Sequence, residues 1–109
     1  MKEFKPTDLL EWTKDKAYPE GVYEKILYRD PESKTYTRLL KFESGAKGDS
    51  PVVHGFEEVV YILSGRLVNI DTGETYAQGA YAYFPKGTKH GPFSAPVGCT
   101  TIEFRHFKT

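Results

Sequence analysis

The sequence predicts an all-β protein, and three observations carry that expectation. Gly and Pro recur about every 8–12 residues, the segments between them are rich in Val, Ile, Tyr, Phe and Thr, and one stretch alone has room for a helix. That punctuation belongs to a sandwich or a barrel. At 109 residues the chain is read as one domain, 1–109, large enough to bury a core without disulfide staples. Its barrel core is expected over about 20–107, behind an N-terminal arm, 1–19.

Each element has its own signal. Residues 7–16 are the helix candidate: Thr7 can cap a turn that begins at Asp8, while Leu9, Leu10 and Trp12 offer an apolar side to the barrel. Strands are expected at 22–28, 35–42, 56–63, 66–70, 74–77, 80–84 and 99–107. The turns between them are Asp30-Pro31-Glu32-Ser33, Ser44-Gly45, Ser64-Gly65, Asp71-Thr72-Gly73 and Gln78-Gly79. Alternation in 56–63 points Glu58, Val60 and Ile62 one way and Val59, Tyr61 and Leu63 the other. Both sets are largely apolar, so both faces should be covered, one by the core and the other by an outer strand or a second subunit. A homodimer is therefore expected.

Composition excludes several partners. Fifteen basic and fifteen acidic side chains cancel, and no basic block stands out, so nucleic acid is not expected. The longest apolar run, 59–63, is far short of the roughly 20 residues of a membrane span, and the start, MKEFKPTDLLEW, has no apolar signal core. The expectation is a soluble, cytoplasmic protein with no membrane partner. Cys99 is the one cysteine and reads as a small core residue. His106 has no motif spacing and reads as structural or exposed.

Two stretches carry chemistry. His54-x3-Glu58-x6-Gly65 and Gly79-x5-Pro85-x-Gly87-x2-His90 set two histidines and a carboxylate at strand ends pinned by Gly or Pro, where one metal ion could gather them. On these residues the chain resembles the cupin superfamily, whose motifs are G-x5-H-x-H-x3,4-E-x6-G and G-x5-P-x-G-x2-H-x3-N. The second motif matches at Gly79, Pro85, Gly87 and His90, with Ser94 in place of the Asn. The first is anchored by Glu58 and Gly65, which makes His54 the second histidine and leaves Val52 where the first should stand. An alternative register keeps Gly48-x5-His54 but puts Phe56 at the second histidine and the carboxylate two residues too close.

The resemblance is nearest to small single-domain cupins of the anti-sigma (ChrR-type) and acetylacetone-dioxygenase-like groups, through His54-Gly55-Phe56-Glu57-Glu58, the run from Pro85 to Ser94, and Gly98-Cys99-Thr100. It implies a double-stranded β-helix, or jelly roll, with the site inside the barrel, and a dimer formed through exchanged or edge-paired strands in which residues 4–12 cross over. Two imidazoles and one carboxylate from His54, Glu58 and His90 would hold a divalent ion with coordination positions open; the set favours Fe(II), with Zn, Mn or Ni alternatives. The implied activity is metal-dependent chemistry on a small organic molecule, a dioxygenase-type reaction on a diketone-like or aromatic carbonyl compound. The competing expectation is a barrel that binds a metabolite or metal without catalysis. Pocket-wall candidates are Phe56, which shares the parity of Glu58, and Tyr61, Tyr81, Tyr83, Phe93 and Phe104.

Overall fold

The computed structural model describes residues 3–107; residues 1, 2, 108 and 109, the ends of the expected 1–109 domain, lie outside it. After a single 3-10 turn at Thr7–Leu9 come eleven strands. These are β1 (Thr13–Lys14), β2 (Val22–Arg29), β3 (Tyr36–Phe42), β4 (Ala46–Lys47), β5 (Val52–Val53), β6 (Glu57–Asn69), β7 (Thr75–Ala77), β8 (Tyr81–Phe84), β9 (Lys89–His90), β10 (Phe93–Ala95) and β11 (Cys99–His106). Nine of them form one curled antiparallel sheet with the path β1-β2-β3-β11-β6-β10-β4, with β7 and β8 also paired to β6, and β5 and β9 form a separate two-stranded ribbon. The architecture is the jelly-roll barrel.

β6 organises this arrangement. Two strands at 56–63 and 66–70 were expected around a Ser64-Gly65 turn, but the chain runs straight on as one strand of 13 residues. Its first half pairs with β8 and β11, its second with β7 and β10. The corner is a bulge: the register against β11 shifts between Thr100 and Thr101, and Gly65 sits at φ +79°. A Cβ at Gly65 would run into the Gly98 carbonyl, so glycine lets the two backbones touch where the strand passes from one wall to the next.

The helix expected over 7–16 is not formed beyond its first turn. Pro6 precedes that turn with no side-chain cap, Leu9 is 72 % exposed, and Thr13–Lys14 pair with β2 instead. Trp12 lies between two ammonium groups, 4.7 Å from Lys25 Nζ and 4.5 Å from Lys41 Nζ, and Lys25 Nζ donates to the Thr7 carbonyl at 2.9 Å. These contacts hold the arm on the sheet of its own chain, without amphipathic burial.

The core joins Val22, Leu40, Phe42, Ala46, Ile62, Leu67, Ala95 and Cys99. Cys99 is buried there, as expected, and burial pushes its thiol up to about 11. Beside this apolar cluster lies a buried charge network. Arg38, 2 % exposed, donates to Glu103 at 2.7 Å, to Asp15 at 2.8 Å and to Glu24 at 3.1 Å. Burial opposes the Arg38 charge, and Glu103 and Asp15 more than offset it. Asp15 thereby ties the arm to β3.

Candidate metal centre

The two sequence motifs meet on the β5–β9 ribbon. Val52 pairs with His90 and Val53 with Lys89, and the Gly87 amide donates to the His54 carbonyl at 3.0 Å. One motif thus positions the histidine of the other, and the φ of +81° at Gly87 is the turn that lets it do so. Glu58 comes from the opposite wall, near the start of β6, directly across from Phe84 on β8 and Arg105 on β11. One ligand atom each from His54, Glu58 and His90 lies within 4.8 Å of the others. Val52, at the position of the absent histidine, is the cross-strand neighbour of His90.

The surroundings of these three groups differ. His90 stacks on Phe84 at 4.0 Å and 15°, and both its ring nitrogens are buried with no hydrogen-bond partner among the described residues. Burial lowers its pKa. His54 stacks on Phe56 at 4.3 Å and 16°, and burial, then the Arg105 charge, bring it down to about 4. Both imidazoles are therefore neutral at pH 7, the form that ligates a metal. Glu58 is 2 % exposed and accepts from Arg105 Nε at 2.7 Å; burial and nearby Glu103 push its carboxyl up to about 7, with Arg105 pulling the other way. Two neutral imidazoles, one of them with both nitrogens unpartnered among the described residues, fit a divalent cation beside one carboxylate, because an ion would satisfy a His90 nitrogen.

The site opens on a cavity of about 340 Å³. Phe42, Val60, Ile62, Leu67, Ala80, Phe84 and Phe93 give it apolar walls, and Tyr18, Asn69, Tyr76, Lys89, Glu103 and Arg105 add polar groups. Of the expected pocket residues, Phe93 lines it, and Tyr81 borders it while lying, 77 % exposed, on the outer face beside Tyr61. Phe56 is buried behind His54 as its support, outside the cavity lining. Tyr61, Tyr83 and Phe104 are 41 %, 52 % and 47 % exposed on the outside of the barrel. Strand parity is the reason: Phe104 and Tyr83 both pair with Val59, and Tyr61 pairs with Tyr81, so all share the face opposite to Glu58. His106 is 58 % exposed and lies 3.2 Å from Glu57, in keeping with a structural or exposed role.

Sequence reasoning missed Arg105, Glu103 and Tyr18. The parity of 99–107 could have found the first two, since charged residues at alternate positions 103 and 105 share the face of buried Thr101. Tyr18 had no signal, because it reaches the cavity from the arm. Burial and then Glu103 push its phenol upward, which keeps it a neutral donor.

The comparisons agree with this architecture. The model of the ChrR cupin-like domain family matches residues 2–107. An RmlC-like cupin from Shewanella frigidimarina superposes with a TM-score of 0.75 at 21 % identity, over 96 % of this chain and 91 % of that one. The acetylacetone dioxygenase from Acinetobacter johnsonii gives 0.75 at 18 % identity, over 96 % and 74 %. KdgF from Halomonas sp. gives 0.73 at 21 % identity, over 99 % and 96 %. No curated protein matches the sequence. At these identities the structural likeness speaks for the fold, while the family match covers nearly the whole chain: it belongs to the ChrR cupin-like domain family.

Proposed function

We propose that this chain is a metal-dependent cupin enzyme that acts on a small organic molecule, with His54, Glu58 and His90 as the ligands of a divalent ion. The observation that carries the reading is His90: both its nitrogens are buried without a partner among the described residues, beside a second neutral imidazole and a carboxylate. A buried polar group left unpaired costs about 1–3 kcal/mol, and a ligand that removes this cost offers a reason for the arrangement. The ligand set favours Fe(II), with Zn, Mn or Ni as alternatives. When bound, the ion supplies a Lewis acid and, as iron, a one-electron partner for oxygen. The protein residues hold and exclude: Phe84 and Phe56 fix the imidazole planes, and Phe42, Ile62, Leu67 and Phe93 keep bulk water from the cavity.

A cavity of about 340 Å³ suits a small, largely apolar molecule, and the likeness to an acetylacetone dioxygenase supports a substrate with two carbonyl oxygens. Elemental analysis of protein purified without chelator, followed by oxygen uptake with pentane-2,4-dione as probe, tests this. Metal bound at near one equivalent and lost in His90→Ala is expected; substoichiometric metal under every growth condition would refute it. A second reading, a barrel that binds a metabolite without catalysis, is favoured by Val52 at the fourth-ligand position. Thermal stabilisation by a bound metabolite that survives metal removal would select that reading.

The outer face supports a homodimer. Tyr83, Val59 and Phe104 form one cross-strand row, and Tyr81, Tyr61 and Ile102 the next. The four aromatics leave roughly 300–500 Å² in the open. That is about half of what one partner of a standard interface buries, near 800 Å². A second copy paired through this face would cover it, and sedimentation equilibrium at micromolar concentration should show a dimer that Tyr61→Lys dissociates. A monomeric wild-type chain would refute the pairing.

A further inference from the structure

We propose that Arg105 is the positioning residue of the metal centre, fixing two of its three ligands, Glu58 and His54, at once. This rests on the metal-centre reading above. Arg105 stands in a cross-strand row between Tyr36 on β3 and Glu58 on β6. Its side chain is 12 % exposed, and each part of the guanidinium has a task. Nε donates to Glu58 Oε2 at 2.7 Å, Nη1 donates to the Tyr36 hydroxyl at 2.9 Å, and Nη2 lies 3.5 Å from Glu103 Oε1.

The Nε bond occupies one carboxylate oxygen of Glu58 and leaves Oε1 for an ion. The opposite influence runs through rings. The guanidinium carbon is 4.7 Å from the centre of Phe56, and Phe56 stacks on His54 at 4.3 Å and 16°. Arg105, Phe56 and His54 therefore form a layered stack in which the imidazole plane follows the plane of the phenyl ring. Only a planar, forked cation can bond a carboxylate with one edge and cover an aromatic ring with its face; a lysine ammonium is a point charge and does one of the two.

A cation beside a divalent ion also repels it. Here Glu103 lies 3.5 Å from Arg105 while Arg38 holds it more closely, so it offsets part of the guanidinium charge that the ion would face. Orientation should then outweigh repulsion, and outer partners of metal ligands typically contribute 10–100-fold to affinity.

The test measures Co(II) affinity of the full-length chain by competition with a chelating dye, together with the visible spectrum of bound Co(II). Arg105→Lys and Arg105→Gln should bind about 10–100-fold more weakly and with an altered spectrum. Phe56→Leu and Tyr36→Phe, each removing one arm of the arrangement and less of the fold, should weaken binding by smaller factors. Circular dichroism melts in chelator show which variants are folded. Folded Arg105 variants, or failing those Phe56→Leu and Tyr36→Phe, that bind Co(II) as tightly as wild type would overturn the inference alone. A wild-type chain that binds no Co(II) would overturn the metal reading and this inference with it.

Discussion

Replacing His90 by Phe should make the metal-free protein more stable and the metal-loaded comparison less favourable. The phenyl ring can keep the stack on Phe84, now 4.0 Å between centroids, and it has open cavity beside it. What it removes is an imidazole whose donor and acceptor are both buried and, among the described residues, unpartnered. One such group costs about 1–3 kcal/mol. Counting one such group, the expected gain is at least about 1–3 kcal/mol, or roughly 4–12 °C in Tm for a chain of this size. Calorimetry in chelator measures it. With metal at a hundred times its Kd the wild type gains about 2.7 kcal/mol, and the variant gains nothing, so the order of stabilities narrows or inverts. A His90→Phe protein that melts below wild type in chelator, or that gains equally from metal, would refute the reasoning.

Three other outcomes follow from the same structure. Val52→His places an imidazole directly across the ribbon from His90 and should tighten Co(II) binding by about tenfold or more, read by dye competition; unchanged affinity would show that position 52 cannot reach the ion. Metal affinity should rise with pH up to about 7 and level off above it, because Glu58 must release its proton while His54, lowered to about 4, is already neutral. A break near 4.5 in an isothermal titration series, the ordinary glutamate value, would contradict that assignment. Gly65→Ala should cost at least about 1–3 kcal/mol from the left-handed backbone alone, with the contact at the Gly98 carbonyl added to it. The urea midpoint measures this, and a loss below 1 kcal/mol would mean that the bulge can relax.

The positions of most strands and the meeting of His54, Glu58 and His90 were legible because they rest on short-range rules. Alternation at 58–63 put Glu58, Val60 and Ile62 on one shared face, and the turn residues at 79, 85 and 87 marked the stretch that brings His90 to the end of β9. Other features depended on partners far away in sequence. Ser64-Gly65 looks like a hairpin turn by composition; only the strand lying against it, with the Gly98 carbonyl at its elbow, makes it a bulge. The arm reads as a helix locally, yet Lys25, Lys41 and Arg38 draw it into an extended path along the sheet. Residue type suggested aromatic pocket walls, but parity decided the matter and turned Tyr61, Tyr83 and Phe104 outward. Arg105 was invisible because a guanidinium on a strand gives no sign of a carboxylate waiting 47 positions earlier.

The central claim is that His54, Glu58 and His90 together hold one divalent ion. Its most direct test is titration of chelator-treated protein with Co(II), followed by the visible spectrum and by dye competition, in wild type and in His54→Ala, Glu58→Gln and His90→Ala. The account predicts one equivalent bound by wild type and a large loss of affinity in each of the three variants. Binding that persists unchanged when any of the three is removed, or no saturable binding by the wild-type chain, would contradict it.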